Sequence, residues 1–422
     1  MKPSLGNSVP VPFDREGPYN INESWRRILE GEKRKRLTDN RPIYLDCQAT
    51  TPVDPRVLEE MTPTFTEAFG NAASKHHRYG WEASKLVETA RARIAGLIGC
   101  SSKEILFTSG ATESNNLALK GSAERLRDKG NHLISVATEH KAILDPLAHL
   151  AKMGFEVTLL PVSSEGLIDL GDLESAIRPS TILVSIMAAN NEIGTLQPLE
   201  QIGAICKERE VLFHTDAAQS VGKIPLDVEA MKIDLLSLSG HKIYGPKGIG
   251  ALYVRRRNPT VRLTAQMDGG GHERGMRSGT LNVPGIVGLG KACEICRDEM
   301  KEEGDRLVKL RESLMDHILE GLSGVRLNGH RTERLPGNLN LSFEGIEAED
   351  LLAKLPDLAL STGSACTTAS LEPSHVLKAL GLSEEEIQGS IRIGLGRMTT
   401  LEEVEQAGRM IVEAVSAMRD GG

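Results

Sequence analysis

Residues 104–137 read EILFTSGATESNNLALKGSAERLRDKGNHLISVA, and their pattern decides the fold class. The run EILFTS is apolar and β-rich, the stretch ATESNNLALKGSAERL has helical character, and HLISVA is again apolar and β-rich. A strand followed by a helix and a second strand is the repeating unit of a parallel sheet. The stretch therefore predicts an α/β fold.

The same alternation continues on both sides of this stretch. Helical patterns precede and follow it at residues 81–99 and 141–154, and five further β-rich runs come later: FEVTLL, TILVSIM, VLFHTD, DLLSLS and IGALYV. Strands that alternate with helices predict an open, mostly parallel sheet covered on both faces. In such sheets ligands bind beyond the carboxyl ends of the strands, so we expect the chemistry of this protein there.

The pattern changes after residue 298, where strands and helices alternate on a shorter scale. The β-rich runs NLNLSF and SIRIGLG belong to this part, and a last helix begins near residue 400. This pattern of short strands and helices predicts a smaller α+β domain. We therefore expect an N-terminal extension at 1–40, a large domain at 53–298, and a small domain formed by 41–52 and 299–422.

Composition excludes several functional classes. The 422 residues carry a formal net charge of −8, so the chain lacks the basic surface expected of a nucleic-acid-binding protein. The longest apolar stretch, around TILVSIMAA, is too short to cross a bilayer, and the N-terminus lacks the apolar core of a secretory signal. We expect a cytoplasmic protein with no membrane contact, the alternative being the mitochondrial matrix or a related organelle.

The six cysteines do not form a disulfide framework in a chain of this length, and no His/Cys cluster has the spacing of a zinc site. We therefore predict no metal site. Cys293 and Cys296 form one C-x-x-C in the helical stretch KACEICRDEM, and without a second pair they are interpreted as helix-packing residues.

Cys366 differs from the other cysteines because it lies in STGSACTTAS, residues 361–370, which has no large apolar side chain. Structural cysteines are usually buried among hydrophobic residues, whereas reactive ones lie in polar and accessible segments. The composition predicts a mobile segment with little apolar area to bury. An ordinary surface thiol remains the alternative on this stretch alone.

Polar side chains follow three strands of the predicted large domain. Gly110 and Thr112 follow EILFTS at a predicted helix start, where free N–H groups and a hydroxyl suit a phosphate group, unless Thr112 is only an N-cap. Asp216 ends VLFHTD and could meet a cationic nitrogen or cap a helix. Lys242 follows DLLSLS among glycines and suits a Schiff-base nucleophile, with an ordinary ion pair as the alternative.

Two later stretches could bind anions. DGGGHERGMRSGT, residues 268–280, combines glycines with two arginines, so its backbone could approach an anion closely. In SIRIGLGR the strand period places Ile391 and Ile393 on one face and Arg392 on the other. Arg392 could bind a carboxylate through its planar guanidinium, or it could be an exposed charge on an edge strand. Together, a phosphate site, a ring-nitrogen acid, a Schiff-base lysine and a carboxylate-binding arginine indicate a pyridoxal phosphate enzyme acting on an amino acid.

With these residues in view, the chain closely resembles the cysteine desulfurases, the NifS/IscS-like branch of class V pyridoxal phosphate enzymes. The resemblance covers residues 42–400 and rests on long matching stretches: YLDCQATTPVDPRV, TSGATESNN, TEHKAILD, NNEIGTLQP, HTDAAQSVGK, SGHKIYGPKGIGALYV and TGSACTTASLEPS. It implies the fold of fold type I pyridoxal-phosphate-dependent transferases, with a large domain built on a mostly parallel sheet and a smaller α+β domain.

The resemblance also implies roles for individual residues. Lys242 is expected to carry the pyridoxal 5'-phosphate cofactor, His140 to stack on its ring and move the proton of the substrate thiol, and Asp216 to pair with the ring nitrogen. The other expected cofactor contacts are Ala111, Thr112, Asn191, Gln219, Ser239, His241 and, from the second subunit of a homodimer, Thr280. Asn191 and Arg392 are expected to bind the substrate, and Cys366 to be the nucleophile.

The implied reaction converts L-cysteine to L-alanine and forms a persulfide on Cys366. The sulfur is expected to pass to an acceptor protein such as an iron–sulfur scaffold, with tRNA thiolation as a second destination. Two other functions stay open at this point. One is a different enzyme on the same scaffold, such as a selenocysteine lyase or an aminotransferase, and the other is a catalytically idle binding or regulatory partner.

Overall fold

A computed structural model describes residues 41–362 and 373–421, and the chain divides into two units after Arg41. The predicted N-terminal extension and Cys366 lie outside the described residues. The description below therefore concerns the unit that begins at Pro42.

Thirteen strands are present in the described part of the chain. They are β1 Ile43–Tyr44, β2 Ile105–Thr108, β3 His132–Val136, β4 Glu156–Leu160, β5 Thr181–Ser185, β6 Leu212–Asp216, β7 Leu235–Ser239, β8 Gly250–Val254, β9 Val325–Leu327, β10 Asn338–Phe343, β11 Leu358–Ala359, β12 Ser361–Thr362 and β13 Ser390–Gly394. Seven of them form a central sheet in the order β2-β8-β7-β6-β5-β3-β4. Only β8 in this sheet is antiparallel to its neighbours, so the predicted mostly parallel sheet is confirmed.

Twelve α-helices connect and cover the strands described. They are α1 Pro55–Met61, α2 Pro63–Thr66, α3 Arg78–Ile98, α4 Ala111–Arg125, α5 Lys141–Lys152, α6 Leu170–Ala176, α7 Leu199–Glu208, α8 Val283–Gly321, α9 Ala348–Lys354, α10 His375–Ala379, α11 Glu384–Gln388 and α12 Leu401–Asp420. No helix among these residues is both long and apolar enough to span a membrane.

The central sheet is buried on both faces because its strands alternate between two apolar clusters. In β2, Ile105 and Phe107 pack into the cluster that contains α3 and the start of α8, whereas Leu106 packs with α4 and α5 on the other face. The same period of two separates Leu133 from Ile134 in β3. Helices on both faces of a mostly parallel sheet are the α/β architecture that the sequence predicts, and the α/β fold class is confirmed.

A second sheet has the order β12-β13-β10-β9 and is antiparallel throughout. Its buried residues, among them Leu339 and Ile391, pack with α12 and with the second half of the 39-residue helix α8. The first half of α8 packs instead on the central sheet. Cys293 and Cys296 are buried in that first half, which confirms their interpretation as helix-packing residues.

The position of β13 in its sheet shows whether Arg392 lies on an edge strand. β13 lies between β12 and β10, and is therefore an inner strand rather than an edge strand. The Arg392 side chain is fully buried. The interpretation of Arg392 as an exposed edge-strand charge is therefore wrong.

Gly110 and Gly250 allow β2 and β8 to meet where α4 begins. A Cβ atom added to Gly250 would lie 2.6 Å from the Cα atom of Gly110 and 2.5 Å from the carbonyl oxygen of Leu238. Both neighbours are backbone atoms, which cannot move aside as a flexible side chain can. Glycine at position 250 is therefore required for close packing of the backbone.

We predict that Gly250→Ala lowers the free energy of unfolding by about 2 kcal/mol or more, because the added methyl group overpacks the backbone. The matched control is Gly304→Ala in α8, where the added Cβ would meet only the Pro336 side chain at 3.8 Å. This control should gain roughly 0.5–1 kcal/mol from helix propensity. Urea unfolding of both variants tests the pair, and equal stabilities would contradict the packing argument.

Candidate active site

A cavity of about 630 Å³ lies at the carboxyl ends of the central strands. Five strands, β2, β3, β5, β6 and β7, are each followed closely by residues that line it. Nine predicted residues come together there: Ala111, Thr112, His140, Asn191, Asp216, Gln219, Ser239, His241 and Lys242. They converge because the carboxyl ends of parallel strands meet at one edge of the sheet.

One end of the cavity is the start of α4. Gly110 is the N-cap of this helix, and no side chain forms a capping hydrogen bond there. Ala111 is the first helical residue, so Thr112 is not the N-cap. Ala111 and Thr112 line the cavity. A helix start with uncapped N–H groups attracts an anion through those groups and through the helix dipole.

His241 also lines this cavity, and burial lowers its pKa to about 4, with nearby Lys242 adding to the effect. Its Nδ1 atom lies 3.1 Å from the Thr50 hydroxyl oxygen. The imidazole is therefore neutral at neutral pH, and hydrogen bonding rather than charge determines what it contributes.

The carboxylate of Asp216 is buried and held from two sides. Its Oδ2 atom accepts a hydrogen bond from Asn115 Nδ2 at 2.7 Å, and its Oδ1 atom accepts one from the backbone N–H of Ala218 at 2.9 Å. Asn115 belongs to α4, so the helix that opens into the cavity also orients the acid. Asp216 thus forms a local turn and lines the cavity. No helix lies between β6 and β7, so the interpretation of Asp216 as a helix cap is wrong.

The Lys242 amine donates to the carbonyl oxygens of Gln48 at 2.5 Å and Ala49 at 2.8 Å. The Gln48 carbonyl also accepts from Gln219 Nε2 at 2.9 Å, and Gln219 Oε1 accepts from Lys223 at 3.0 Å. Burial and the neighbouring Lys242 lower the pKa of Lys223 to about 8. The segment around residue 48 therefore holds both Lys242 and Gln219 at the cavity.

His140 is the N-cap of α5, and its Nδ1 atom accepts the backbone N–H of Ala142 at 3.0 Å. Burial lowers its pKa, and the positive charge of Lys242 adds to this against the opposite effect of Asp216. The neutral ring therefore carries its hydrogen on Nε2, because Nδ1 is used as an acceptor.

Two of the predicted site residues that the structure describes, Arg392 and Thr280, do not line the cavity. Arg392 is buried behind Asn191, where it donates to the Asn191 carbonyl oxygen at 3.1 Å and to Asp46 at 2.8 Å. Thr280 is exposed. Cys366 lies outside the described residues.

Several lining residues were not among the predicted site residues. Ala49, Thr50, Ser109, Glu113, Met187 and Lys247 all contribute to the wall of the cavity. Ser109 and Glu113 follow β2, and Met187 follows β5, so the strand-exit rule could have found these three. Ala49, Thr50 and Lys247 do not directly follow any of the five strands and gave no such signal. Among residues 41–362 and 373–421, no group of His, Cys, Asp and Glu side chains is arranged to hold a metal ion.

Comparison with known proteins identifies the family. The model of the class-V aminotransferases matches residues 43–407. The chain belongs to this family. It is 58% identical to the cysteine desulfurase IscS of Anaeromyxobacter sp. strain Fw109-5 over 379 residues, which cover 90% of this chain and 94% of that protein.

Two further comparisons agree with this assignment. A human cysteine desulfurase is 55% identical over 380 residues, covering 90% of this chain and 83% of that protein. A solved structure of a NifS-like protein superposes with a TM-score of 0.83 at 41% identity and covers 89% of this chain and all of that one. The chain is therefore a member of the cysteine desulfurase branch of the family.

Enzymes of this family depend on pyridoxal 5'-phosphate, and the cavity fits that cofactor. The start of α4 suits a phosphate group, and the Asp216 carboxylate suits a protonated ring nitrogen. The amine of Lys242 lines the same cavity and is positioned by two carbonyl oxygens. Each charged or reactive part of the cofactor thus has a chemically matched group.

Glu192, next to Asn191, is a buried carboxyl group that the sequence interpretation did not single out. Its Oε2 atom accepts a hydrogen bond from the Ser374 hydroxyl at 2.6 Å. Burial raises the pKa of Glu192 to about 7, although the Ser374 hydrogen bond and the charge of Arg392 oppose the rise. Glu192 is therefore partly protonated in the folded protein near neutral pH.

We predict that Glu192→Gln changes the pH dependence of stability. An unfolded glutamate has a pKa near 4.3, so between there and about 7 the native state retains a proton that the unfolded chain has lost. The free energy of unfolding of the parent protein therefore falls as pH rises through this window. The variant lacks this contribution and should gain roughly 3 kcal/mol relative to the parent across the window.

Chemical unfolding at intervals from pH 4.5 to pH 7.5 measures this difference. The matched control is Glu384→Gln, which replaces an exposed glutamate in α11. The control should follow the parent curve at a constant offset. A constant offset for Glu192→Gln as well would show that Glu192 does not titrate in this window.

Proposed function

We propose that this protein is a cysteine desulfurase that converts L-cysteine to L-alanine and forms a persulfide on Cys366. The observation that carries the proposal is the meeting of Lys242, Asp216 and the start of α4 in one cavity. It is supported by 58% identity to a cysteine desulfurase over nearly the whole of both chains.

The proposed roles of the residues follow from their chemistry. Bound pyridoxal phosphate supplies an aldehyde that condenses with amines and a ring that takes up electrons from the activated carbon. Lys242 holds the cofactor and, once the substrate amine has replaced it, takes the substrate's Cα proton. Asp216 pairs with the ring nitrogen, and Ala111, Thr112, Ser239 and His241 bind the phosphate.

Arg392 and Asn191 are proposed to bind the substrate carboxylate. The guanidinium of Arg392 donates to the backbone carbonyl of Asn191, and Asn191 is one of the residues that line the cavity. A planar guanidinium binds a carboxylate in a fixed geometry, so this pair would orient the amino acid with its thiol toward the nucleophile. His140 would exchange the thiol proton through Nε2.

The sulfur transfer balances without an external oxidant or reductant. The Cys366 thiolate attacks the substrate sulfur, a sulfur–sulfur bond forms, and the bond between sulfur and Cβ breaks. The electron pair of the broken bond stays with Cβ, which gains a proton and becomes the methyl group of alanine. Both sulfur atoms are oxidised to the persulfide level while Cβ is reduced.

The persulfide is proposed to pass to an acceptor protein such as an iron–sulfur scaffold, with tRNA thiolation as a second destination. The name of the Anaeromyxobacter relative, cysteine desulfurase IscS, supports this assignment. A cytoplasmic location is proposed because cysteines 47, 100, 206, 293 and 296 are all free thiols, which suits a reducing compartment.

We also propose that residues 53–298 and residues 41–52 with 299–422 act as two domains around the cavity. Separate apolar clusters support this division. The N-terminal extension at 1–40 would remain a separate element.

We predict that Cys366→Ala forms no alanine and no persulfide from L-cysteine, because the sulfur acceptor is removed. Lys242→Ala should also be inactive, but for a different reason: the amine that takes the proton from the substrate Cα atom is lost. Mass spectrometry of the purified holoenzyme after one turnover, together with an assay for alanine, measures both effects. Substantial alanine formation by Cys366→Ala would favour a different reaction on this scaffold, such as that of a selenocysteine lyase.

A homodimer is proposed because aromatic side chains are exposed in and between α2 and α3. Phe65, Phe69, Tyr79 and Trp81 are each more than half exposed, and the rings of Phe69 and Tyr79 lie 5.2 Å apart. An aromatic patch on a soluble protein usually marks an interface. Thr280 is exposed as well and would reach the phosphate of the second subunit.

We predict that Phe69→Glu gives monomers in light scattering and weakens pyridoxal phosphate binding, because Thr280 then no longer reaches the second cavity. Leu319→Glu, at an exposed apolar residue of α8, is the control and should stay dimeric. A monomeric parent protein with full cofactor affinity would refute the homodimer.

A further inference from the structure

Two hydrogen bonds fix the start of α10 to residues that follow strands of the central sheet. The Ser374 hydroxyl donates to Glu192 Oε2 at 2.6 Å and also accepts the backbone N–H of Leu377 as the N-cap of α10. His375 Nε2 lies 2.8 Å from the carbonyl oxygen of Glu139. A carbonyl oxygen only accepts, so His375 Nε2 must carry the hydrogen and donate it.

Both acceptors lie directly beside residues of the candidate active site. Glu139 precedes His140 after β3, and Glu192 follows Asn191 after β5. Glu139 and Glu192 are buried, as is Ser374. The Ser374–Glu192 bond is buried, and the His375–Glu139 bond is partly buried. Together they set the position of α10 relative to the cavity.

Glu139 and Glu192 are themselves held rigidly. Glu139 Oε1 accepts the backbone N–H of Met187, a residue that lines the cavity. The carbonyl oxygen of Glu192 accepts from Asn338 Nδ2 at 3.1 Å, and its N–H donates to Asn190 Oδ1 at 2.8 Å. The start of α10 is thus attached to parts of the backbone that shape the cavity.

The chain on the other side of Cys366 is also attached beside the site. Ser361 and Thr362 form β12, and Ser361 lies opposite Arg392 in the register of β12 and β13. Cys366 therefore lies in the sequence between Ser361 and Ser374, which are both fixed next to candidate substrate-binding residues. The time that a group between two fixed ends spends at a target depends on where the ends are held.

We propose that Ser374 and His375 are positioning residues for the persulfide step, acting by anchoring the chain that follows Cys366 in the sequence beside Asn191 and His140. Neither residue lines the cavity, so neither is a catalytic residue. The inference rests on the proposed function, because it concerns the transfer of sulfur to Cys366. In this proposal the two side chains raise the effective concentration of the Cys366 thiol at the substrate. They take no part in binding the cofactor or the substrate.

The test is a single-turnover experiment on the holoenzyme with two readouts. Cofactor absorbance after mixing with L-cysteine follows substrate binding and the chemistry at Lys242, and acid quenching with mass spectrometry follows persulfide on Cys366. Ser374→Ala and His375→Ala should each slow persulfide formation by about tenfold. The rate and amplitude of the early absorbance change should match those of the parent.

Conservative variants separate positioning from folding. Ser374→Thr keeps the hydroxyl and His375→Gln keeps a donor at similar reach, so both should restore most of the persulfide rate. The matched control is Ser383→Ala, which removes the N-cap of neighbouring α11, where Ser383 Oγ accepts Glu386 N at 3.2 Å. This control should lose a similar amount of helix stability and keep the parent persulfide rate.

Three outcomes would overturn the proposal. They are an unchanged persulfide rate in both alanine variants, an equal slowing of absorbance change and persulfide formation, and equal slowing in Ser383→Ala. Failure of the proposed function is distinguishable from these, because the parent protein itself would then form no persulfide on Cys366.

Discussion

The carboxylate of Asp216, buried at the end of β6, accepts hydrogen bonds from the side chain of Asn115 and the backbone N–H of Ala218. A buried carboxylate needs such donors because burial removes its water. Asn115 lies on α4, whose uncapped start faces the same cavity. One hydrogen bond thus fixes the distance between an anion-binding helix start and an acid, and the rest of the site is arranged around these two points.

The turn at residues 190–195 joins the two sheets. Asn191 accepts a hydrogen bond from Arg392 of the four-stranded second sheet, called the small sheet below. Glu192 accepts hydrogen bonds from Ser374 and from Asn338 of β10. These contacts link residues 146 to 201 positions apart in sequence. Because the partners are buried and polar, the small sheet and α10 have little freedom to shift relative to the cavity without breaking them.

Much of the central sheet and its helices could be predicted from the sequence because local patterns determine them. The strand at residues 105–108 and the helix that starts at Ala111 follow from apolar runs separated by a glycine turn. The convergence of Asp216 and Lys242 follows from their positions at strand ends. These predictions require only the rule that parallel strands expose their carboxyl ends at one edge.

The remaining contacts could not be predicted because they depend on chain segments far apart in sequence. The carbonyl oxygens that hold Lys242 come from Gln48 and Ala49, more than 190 residues away, and backbone carbonyls leave no signature in a sequence. Arg392 allowed two interpretations because the neighbours of β13 are set by sheet order rather than by β13 itself. Glu192 gave no signal, since its burial results from the packing of the small sheet and α10.

Lys242, which follows β7, is the residue that we propose to hold pyridoxal phosphate. The holoenzyme can be reduced with sodium borohydride, which fixes the cofactor on the amine that carries it, and peptide mapping by mass spectrometry then identifies that amine. We predict the added mass on Lys242 alone. Modification of Lys247, which lines the same cavity, or of Lys223, which bonds to Gln219, would contradict it.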